Sequence, residues 1–428
     1  MKTTITIAVL SLLFYLLPGW NKIVAQEPFP FEAYPENPVL THGSPGSCDE
    51  FMVVPYALWD DGSFYLFYSG STGICMASSP DGYNYSKYEG NPVLMPSGTG
   101  FDSIAAGEGP VVKMGSEWVM YYNAAQFPGY GPGPFIGRAT AATIDGPWTR
   151  SANPVLTVGG TGDWDAGYIT ASNVLPLDTG GYIMFYTAAE DFFTGLWQIG
   201  MATSPDGLTW TKYDDPLTAD PPYSNSDPVL KPGISGEWDS YGVYFPSVIK
   251  TNGYFEIYYS GDVSVGYASS TDGINWEKWP ENPVYTPEQD PYCFTIGSMF
   301  IECPAVVRLN NVIYMYYDYG TVECSIGLAT FVAVGISDMA MTKDKIKITN
   351  SPNPVSGYTV FSYSLNEPGN AVIRVYDNFG RLVAEPVNAW QAKGEQRIPY
   401  DASGLPAGIY YYRLSAGENT ASGKMIKL

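Results

Sequence analysis

Two glutamates stand in segments that are otherwise apolar or aromatic, and they are the residues of this chain best suited to acid–base chemistry. Glu108 opens the segment EGPVVKM and Glu302 opens ECPAVVRL. Burying a carboxylate without a partner is costly, so each needs a reason for its position. One reason is a salt bridge or solvation at a channel mouth. The other is cleavage of a glycosidic bond, in which one carboxyl group protonates the leaving oxygen and the other activates water or attacks the sugar.

The segments around these glutamates recur along the chain, and their alignment predicts further residues of a site. Each repeated apolar strand carries a proline or serine at one place. The residues two positions earlier are Val53, Glu108, Thr170, Tyr244 and Glu302. We therefore expect Thr170 and Tyr244 to bind substrate beside the two acids. Aromatic side chains around the same opening suit sugars, whose apolar faces lie on rings.

Other candidates lie in the loops before these strands and on neighbouring strands. Asp49 and Asp165 each precede an inner strand by a few residues and are candidates for a catalytic nucleophile or base. An aspartate recurs there in every full repeat, which also predicts a structural cap. Arg138 is a candidate for binding substrate through a carboxylate or phosphate. His42 is the only histidine and there is no Cys/His metal spacing, so we predict neither a zinc site nor a Ser-His-Asp triad.

The five cysteines are an odd number, so at least one stays outside any intramolecular disulfide. Three of them, Cys293, Cys303 and Cys324, fall in the last repeat, where a local pair is an option. An exported chain permits such bonds.

Five consecutive units with the same order of parts must position these residues. Each has an apolar strand, a strand ending in paired aromatics, a strand of the form I-G-x-A and an outer strand with Tyr or Trp. Asp-Gly turns occur between strands of these units, as in SPDGLTW and STDGINW. Repeats of four short strands are typical of propeller blades. The sequence therefore predicts an all-β protein with a five-bladed β-propeller.

The fifth unit has no outer strand of its own after IGLAT. Near the N-terminus FEAYPENPVL mirrors NWEKWPENPVY, so residues 31–34 are predicted to complete the last sheet. Such closure would hide two sheet edges.

The repeat pattern stops after Phe331, and a small β unit follows the linker-like stretch VAVGISDMAMTKDK. Its motifs are Pro352-Asn353-Pro354, Val375-Tyr376-Asp377 with Gly380, LPAGIYY and Lys424-Met425-Ile426. They resemble the type A C-terminal sorting domain of the type IX secretion system. The resemblance implies a β-sandwich that serves as an export address for the type IX machinery.

The five repeats, the period DGxxW…NPV and Glu302-Cys303-Pro304 resemble the five-bladed propellers of glycoside hydrolase families 32, 43 and 130. In family 32 the acid lies in a Glu-Cys motif, so the resemblance implies that Glu302 is the general acid. The first repeat has Val53-Val54-Pro55 where family 43 has an aspartate. The base is therefore not carried over, and Glu108 is our candidate for it. No cofactor is expected, although family 43 leaves a structural calcium near the propeller axis as an option.

Composition and the N-terminal segment indicate where the protein is located. A net charge of −22 argues against a nucleic-acid partner. Lys2, the apolar run after it and a cleavage site before Gln26 predict a signal peptide, and no transmembrane segment is expected in the mature chain. We expect export through the periplasm to the cell surface or the medium.

These observations predict a signal peptide at 1–25, the propeller at 26–335, a linker at 336–345 and the sorting domain at 346–428. The expected function is a secreted glycoside hydrolase acting on a polysaccharide or oligosaccharide. The alternative is a noncatalytic carbohydrate-binding or surface-adhesion propeller, which the missing first-repeat aspartate favours.

Overall fold

The computed structural model describes residues 31–126, 134–251, 253–319, 325–332, 348–365, 367–377, 382–416 and 419–428. Almost all regular structure within them is β-strand, and the helical segments are α1 (Pro291–Ile296) and two single 3-10 turns, Gly100–Asp102 and Pro287–Gln289. The predicted signal peptide and the predicted linker lie outside the described residues.

Five sheets follow one another up to Val332, and each runs from an inner strand to an outer one. We number these sheets as blades 1 to 5. Blade 1 contains β2 (Met52–Asp60), β3 (Ser63–Gly70), β4 (Gly73–Ser79) and β5 (Ser86–Lys87). Blade 2 contains β6 (Ala105–Gly107), β7 (Val111–Met114), β8 (Glu117–Ala125), β9 (Phe135–Ala141), β10 (Thr149–Arg150) and β11 (Leu156–Thr157). Blade 3 contains β12 (Tyr168–Pro176), β13 (Tyr182–Ala189), β14 (Gln198–Ser204), β15 (Thr211–Lys212) and β16 (Pro228–Leu230). Blade 4 contains β17 (Tyr244–Thr251), β18 (Tyr254–Gly261), β19 (Ser264–Ser270) and β20 (Glu277–Lys278). Blade 5 contains β21 (Glu302–Leu309), β22 (Val312–Asp318), β23 (Ile326–Val332) and, from the start of the chain, β1 (Glu32–Ala33).

The first described strand closes the ring. Glu32 pairs with Thr330 and Ala33 with Ala329, so β1 is the outer strand of blade 5. Phe31 is buried beside it, with its ring centroid 6.0 Å from that of Tyr258 in blade 4. The predicted completion of the last sheet by the N-terminal segment is confirmed.

Aromatic side chains pack between neighbouring blades in one direction around the ring. Tyr121 of blade 2 meets Trp210 of blade 3 edge to face, with centroids 5.6 Å apart. The same relation joins Tyr316 of blade 5 to Tyr85 of blade 1 at 5.7 Å, across the closure. The repeated Trp and Tyr positions of the sequence are therefore inter-blade packing residues.

The Asp-Gly turns are hairpins between the third and outer strands. In blade 4, Oδ1 of Asp272 accepts hydrogen bonds from the N–H groups of Ile274 and Asn275, both at 2.8 Å. Gly273 has a φ of 77°, which glycine adopts without the steric cost that a side chain would bring. Local turn chemistry thus fixes the outer edge of blade 4, whereas blade 5 takes its outer strand from the start of the chain.

The C-terminal residues form two further sheets. One contains β24 (Ile348–Ser351), β25 (Tyr358–Leu365) and β28 (Gly394–Asp401). The other contains β26 (Gly369–Tyr376), β27 (Leu382–Gln391), β29 (Gly408–Ala416) and β30 (Asn419–Lys427). Phe361 of the first sheet and Tyr412 of the second, with ring centroids 4.7 Å apart, pack in a shared apolar core.

Candidate active site on the propeller axis

Every inner strand is interrupted where it lines the axis. In three blades the regular pairing is lost around a residue of positive φ that precedes a proline: Val54 (52°), Phe245 (46°) and Cys303 (55°). Blade 2 has Gly109 at the corresponding place, between β6 and β7. A proline has no N–H to donate within a sheet, so it is tolerated at such a bulge. Positive φ at a β-branched residue such as Val54 is strained, and strain of this kind concentrates at functional sites.

In each blade a buried polar residue directly follows the aromatic pair of the second strand, next to these bulges. The five residues are Ser69, Asn123, Thr187, Ser260 and Asp318. Each bonds to the inner strand of the following blade, so together they form a polar ring around the axis. The contacts are Ser69 with Glu108, Asn123 with the Ile169 carbonyl, and Thr187, Ser260 and Asp318 with the N–H groups of Phe245, Cys303 and Val54. Asp318 is the one member of this ring that carries a carboxylate.

Glu302 begins the inner strand of blade 5 and stands across from Asp318 in the register of β21 and β22. Its Oε1 lies 3.0 Å from the hydroxyl of Tyr244. Burial, and after it the neighbouring Asp318 carboxylate, raises the pKa of Glu302 to about 7. A carboxyl group with that pKa keeps its proton near neutral pH, as a general acid must.

Glu108 has a different environment. It is 8% exposed, and Ser69 donates a 2.8 Å hydrogen bond to its Oε2. The hydroxyls of Thr170 and Tyr168 lie 3.4 and 3.5 Å from its Oε1. Burial raises the pKa of Glu108, while these three donors oppose that rise because they stabilise the carboxylate.

Glu108 lies at a depression on the propeller axis. Its volume is about 340 Å³, including the part open to solvent, and its walls are formed by the bulges of all five inner strands. Glu108 and Cys303 both line it. Glu302 is the residue before Cys303 and is not itself part of the lining.

One group of metal-ligating side chains lies among the described residues, at this same place. The ligand atoms of Glu302, Cys303 and Asp318 are all within 4.8 Å of one another. Calcium takes six to eight oxygen ligands, whereas this group offers two carboxylates and a thiol. Burial raises the pKa of the Cys303 thiol well above its ordinary value, so the sulfur stays protonated. The group does not fit the axial calcium that the sequence left as an option.

The structure places Asp49 and Asp165 away from this depression. Each forms an ion pair, with an N–O distance of 2.5 Å, with a lysine on the outer strand of its own blade. The lysines are Lys87 and Lys212 respectively. Asp239 pairs with Lys278 in the same way in blade 4. The pairs tie the loop before each inner strand to the blade edge, so we assign Asp49 and Asp165 a structural role in place of the catalytic one that their sequence position suggested.

Arg138 also lies outside the depression. It sits on β9, the third strand of blade 2, opposite Tyr121 in the register with β8. Thr170 and Tyr244, in contrast, lie beside the acids as expected, each within hydrogen-bonding distance of one glutamate. His42 is in an exposed loop, where its Nδ1 meets the Gly43 carbonyl oxygen.

Cys303, the cysteine next to Glu302, is not the one that lies beside another thiol. The Sγ atoms of Cys48 and Cys75 are 2.8 Å apart in blade 1. The local pair considered within the last repeat is not formed by Cys293 and Cys303, which are both free. Cys324 lies outside the described residues.

Asp318 and Tyr168 were missed by the sequence alignment. A signal for Asp318 was present, because the residue after each aromatic pair is Ser, Asn, Thr or Ser in blades 1 to 4 and Asp only in blade 5. Tyr168 lies two residues before Thr170 and therefore on the same face of β12, where both hydroxyls reach Glu108.

The C-terminal part of the chain matches a known family. Residues 351–428 fit the family model of the secretion system C-terminal sorting domain. This domain implies type IX secretion and export to the cell surface or the extracellular space. No helix among the described residues is both long and apolar enough to cross a membrane.

Solved structures resemble the propeller. A thermostable family-43 glycoside hydrolase is 18% identical with a TM-score of 0.51, covering 69% of this chain and 91% of its own. A second glycoside hydrolase is 17% identical with a TM-score of 0.55, covering 74% and 95%. The β-1,2-mannobiose phosphorylase of Listeria innocua is 14% identical with a TM-score of 0.52, covering 71% and 97%. At these identities the likeness establishes the propeller fold. No curated protein sequence matches the chain.

Proposed function

We propose that this protein is an exported glycoside hydrolase in which Glu302 is the general acid and Glu108 the opposing base. The observation that carries the proposal is the unlike environment of the two glutamates. Glu302 has the Asp318 carboxylate opposite it in the sheet, which favours its neutral form. Glu108 has three hydroxyl donors, which stabilise its charged form and oppose the rise in pKa that burial causes.

In this mechanism Glu302 gives its proton to the leaving glycosidic oxygen while Glu108 takes a proton from the attacking water. Ser69 and Thr170 hold the Glu108 carboxylate, and Tyr244 holds the Glu302 carboxyl group. The domain boundaries that we propose place both acids inside one unit, residues 26–335, with the sorting domain at 346–428 outside it.

A noncatalytic carbohydrate-binding propeller is the second candidate, and one observation favours it. Glu108 is almost fully buried and burial raises the pKa of both glutamates. Two neutral carboxyl groups would donate hydrogen bonds to sugar hydroxyls without any base to activate water. In that case the acids recognise a glycan and do not cleave it.

Glu302→Gln separates the two candidates, with Glu281→Gln at an exposed glutamate as the matched control. The purified protein is assayed on chromogenic arabinosides, xylosides, fructosides and mannosides, and on the corresponding polysaccharides. We expect Glu302→Gln to lose at least about 10²-fold in turnover and to retain polysaccharide binding, because only the proton donor is removed. Binding without turnover in the wild type would establish the second candidate instead.

A further inference from the structure

The loop between β13 and β14 in blade 3, which we call the aromatic loop (residues 191–197), has the sequence DFFTGLW. It lies at the end of the ring where the inner strands begin, since Tyr168 at the start of β12 pairs with Ala189 at the end of β13. The corresponding connections in blades 1 and 4 have only two residues, 71–72 and 262–263. Blade 3 therefore has a longer connection than blades 1 and 4 at this end of the ring, and the connection is rich in apolar residues.

The aromatic loop presents large apolar side chains to solvent. Phe193 is 77% exposed and Leu196 is 47% exposed, while Phe192 and Trp197 are half-buried beneath them. Phe193 meets Phe192 edge to face at 5.0 Å. Exposed apolar groups gathered in one place mark contact sites for a ligand or a partner.

The aromatic rings of this loop contact the two tyrosines that lie beside the glutamates. Trp197 has its centroid 4.9 Å from that of Tyr168 and 6.1 Å from that of Tyr244. These are the two tyrosines whose hydroxyls reach Glu108 and Glu302 respectively. A ligand that lies on the aromatic loop is therefore one layer of tyrosine rings away from the two glutamates.

Hydrogen bonds fix the shape of the loop. Oδ1 of Asp191 accepts from the N–H groups of Phe193 and Thr194 at 3.0 and 2.8 Å and from the Thr194 hydroxyl at 2.8 Å. The N–H of Gly195 donates a hydrogen bond to the Asp191 carbonyl oxygen at 2.9 Å. A loop held in this way loses little conformational entropy when a ligand binds it.

We propose that the aromatic loop is a sugar-stacking subsite, with Phe193 as its contact residue, for the outer units of a neutral glycan chain whose first unit lies at Glu302 and Glu108. The proposal rests on the proposed function only in placing a sugar at those acids. A flat ring with an exposed face suits the apolar face of a sugar. Two further rings, Phe192 and Trp197, separate Phe193 from Tyr244, so the ligand is an oligosaccharide or polysaccharide and not a single sugar.

Charge selects a neutral glycan over an anionic one. Glu190 and Asp191 flank the stacking residues and are exposed. Hydrogen bonds from the Thr194 side chain and backbone lower the pKa of Asp191, so it is ionised at neutral pH. Uronic acid units placed on Phe193 would meet these charges, and the whole chain carries −22.

The test is affinity electrophoresis of the full chain in gels containing arabinan, galactan, xylan or mannan, with polygalacturonate as the anionic comparison. We expect Phe193→Ala to weaken binding of the retained neutral polysaccharide roughly tenfold, the scale of one lost ring contact, and Phe193→Tyr to restore it. The matched control is Leu208→Ala, which removes an apolar side chain, 48% exposed, from the hairpin at the opposite end of blade 3.

Each outcome decides the proposal. Wild-type binding to none of the neutral polysaccharides, stronger binding to polygalacturonate, or unchanged binding of Phe193→Ala overturns it. The proposed hydrolysis is judged separately, because Glu302→Gln changes turnover and not retention in the gel. A protein that binds through Phe193 without turnover keeps the subsite and loses the catalytic assignment.

Discussion

The hydroxyl of Tyr244 lies 3.0 Å from Oε1 of Glu302 and 2.8 Å from the carbonyl oxygen of Asp262. A tyrosine has one proton to donate, so it cannot serve two acceptors at once. Both contacts are satisfied when Glu302 keeps its proton and donates it to the Tyr244 oxygen. A bond donated by Tyr244 to the carboxylate would lower the pKa of Glu302, so the value of about 7 comes from burial and Asp318.

Replacing Asp318 with Asn should shift the pH dependence of activity. The proton donor works only below its pKa, so wild-type activity should fall as the pH rises through about 7. Asp318 raises that pKa, so its neutral isostere should move the alkaline limit of kcat/KM to lower pH. The amide oxygen still accepts from Val54 N–H, which preserves the contact to blade 1.

Ser260→Ala is the control for this shift. Ser260 occupies the same place in the polar ring of blade 4 and accepts from Cys303 N–H at 2.8 Å, but it carries no charge. Its loss should leave the alkaline limit where it is. An unchanged or raised limit in Asp318→Asn would show that Asp318 does not govern the protonation of Glu302.

Glu108→Gln should lower kcat by about 10² or more, because the amide cannot accept a proton from water. Its oxygen still accepts the bond from Ser69, so the thermal midpoint should change little. Glu256→Gln offers a contrast, since Glu256 is also buried but forms two 2.9 Å bonds to Arg308. That variant should lose stability and keep kcat. Equal kcat for Glu108→Gln and wild type would remove Glu108 from the mechanism.

Asp165→Asn should destabilise the protein without changing kcat/KM. The Asp165 side chain is fully buried and its partner Lys212 is 15% exposed, so removing one charge leaves the other poorly compensated. We expect a loss of about 3 kcal/mol, measured as a lower thermal midpoint. Asp178→Asn breaks the exposed pair with Lys250 and should cost under about 1 kcal/mol. A catalytic defect in folded Asp165→Asn would restore this residue to the site.

Cys48 and Cys75 should form a disulfide when the two thiols transfer their two hydrogens to an oxidant such as oxidised glutathione. Their sulfurs are already in contact at 2.8 Å. The expected stabilisation is about 3 kcal/mol, from restriction of the unfolded chain. Peptide mapping under non-reducing conditions should find the linked pair, and reductant should lower the thermal midpoint of the wild type but not of Cys48→Ser. A free Cys48 in the oxidised protein would contradict this.

The sequence alone was enough to predict the propeller, the closure of its last sheet by residues 31–34 and the β structure of the tail. These features depend on alternating apolar residues, on Asp-Gly turns and on repeated motifs, all of which act over a few neighbouring residues. The positions of Glu108 and Glu302 followed from the same register, because bulges at equivalent prolines keep the inner strands aligned.

Contacts between distant segments were decided only by the tertiary structure. Asp49 and Asp165 stand a few residues before inner strands, which made them candidates in the sequence, but a lysine later in the same blade forms an ion pair with each of them. Trp197 of blade 3 meets Tyr244 of blade 4, the tyrosine beside Glu302, because neighbouring sheets are arranged around one axis. Spacing along the chain does not encode those distances, since closure of the ring sets them.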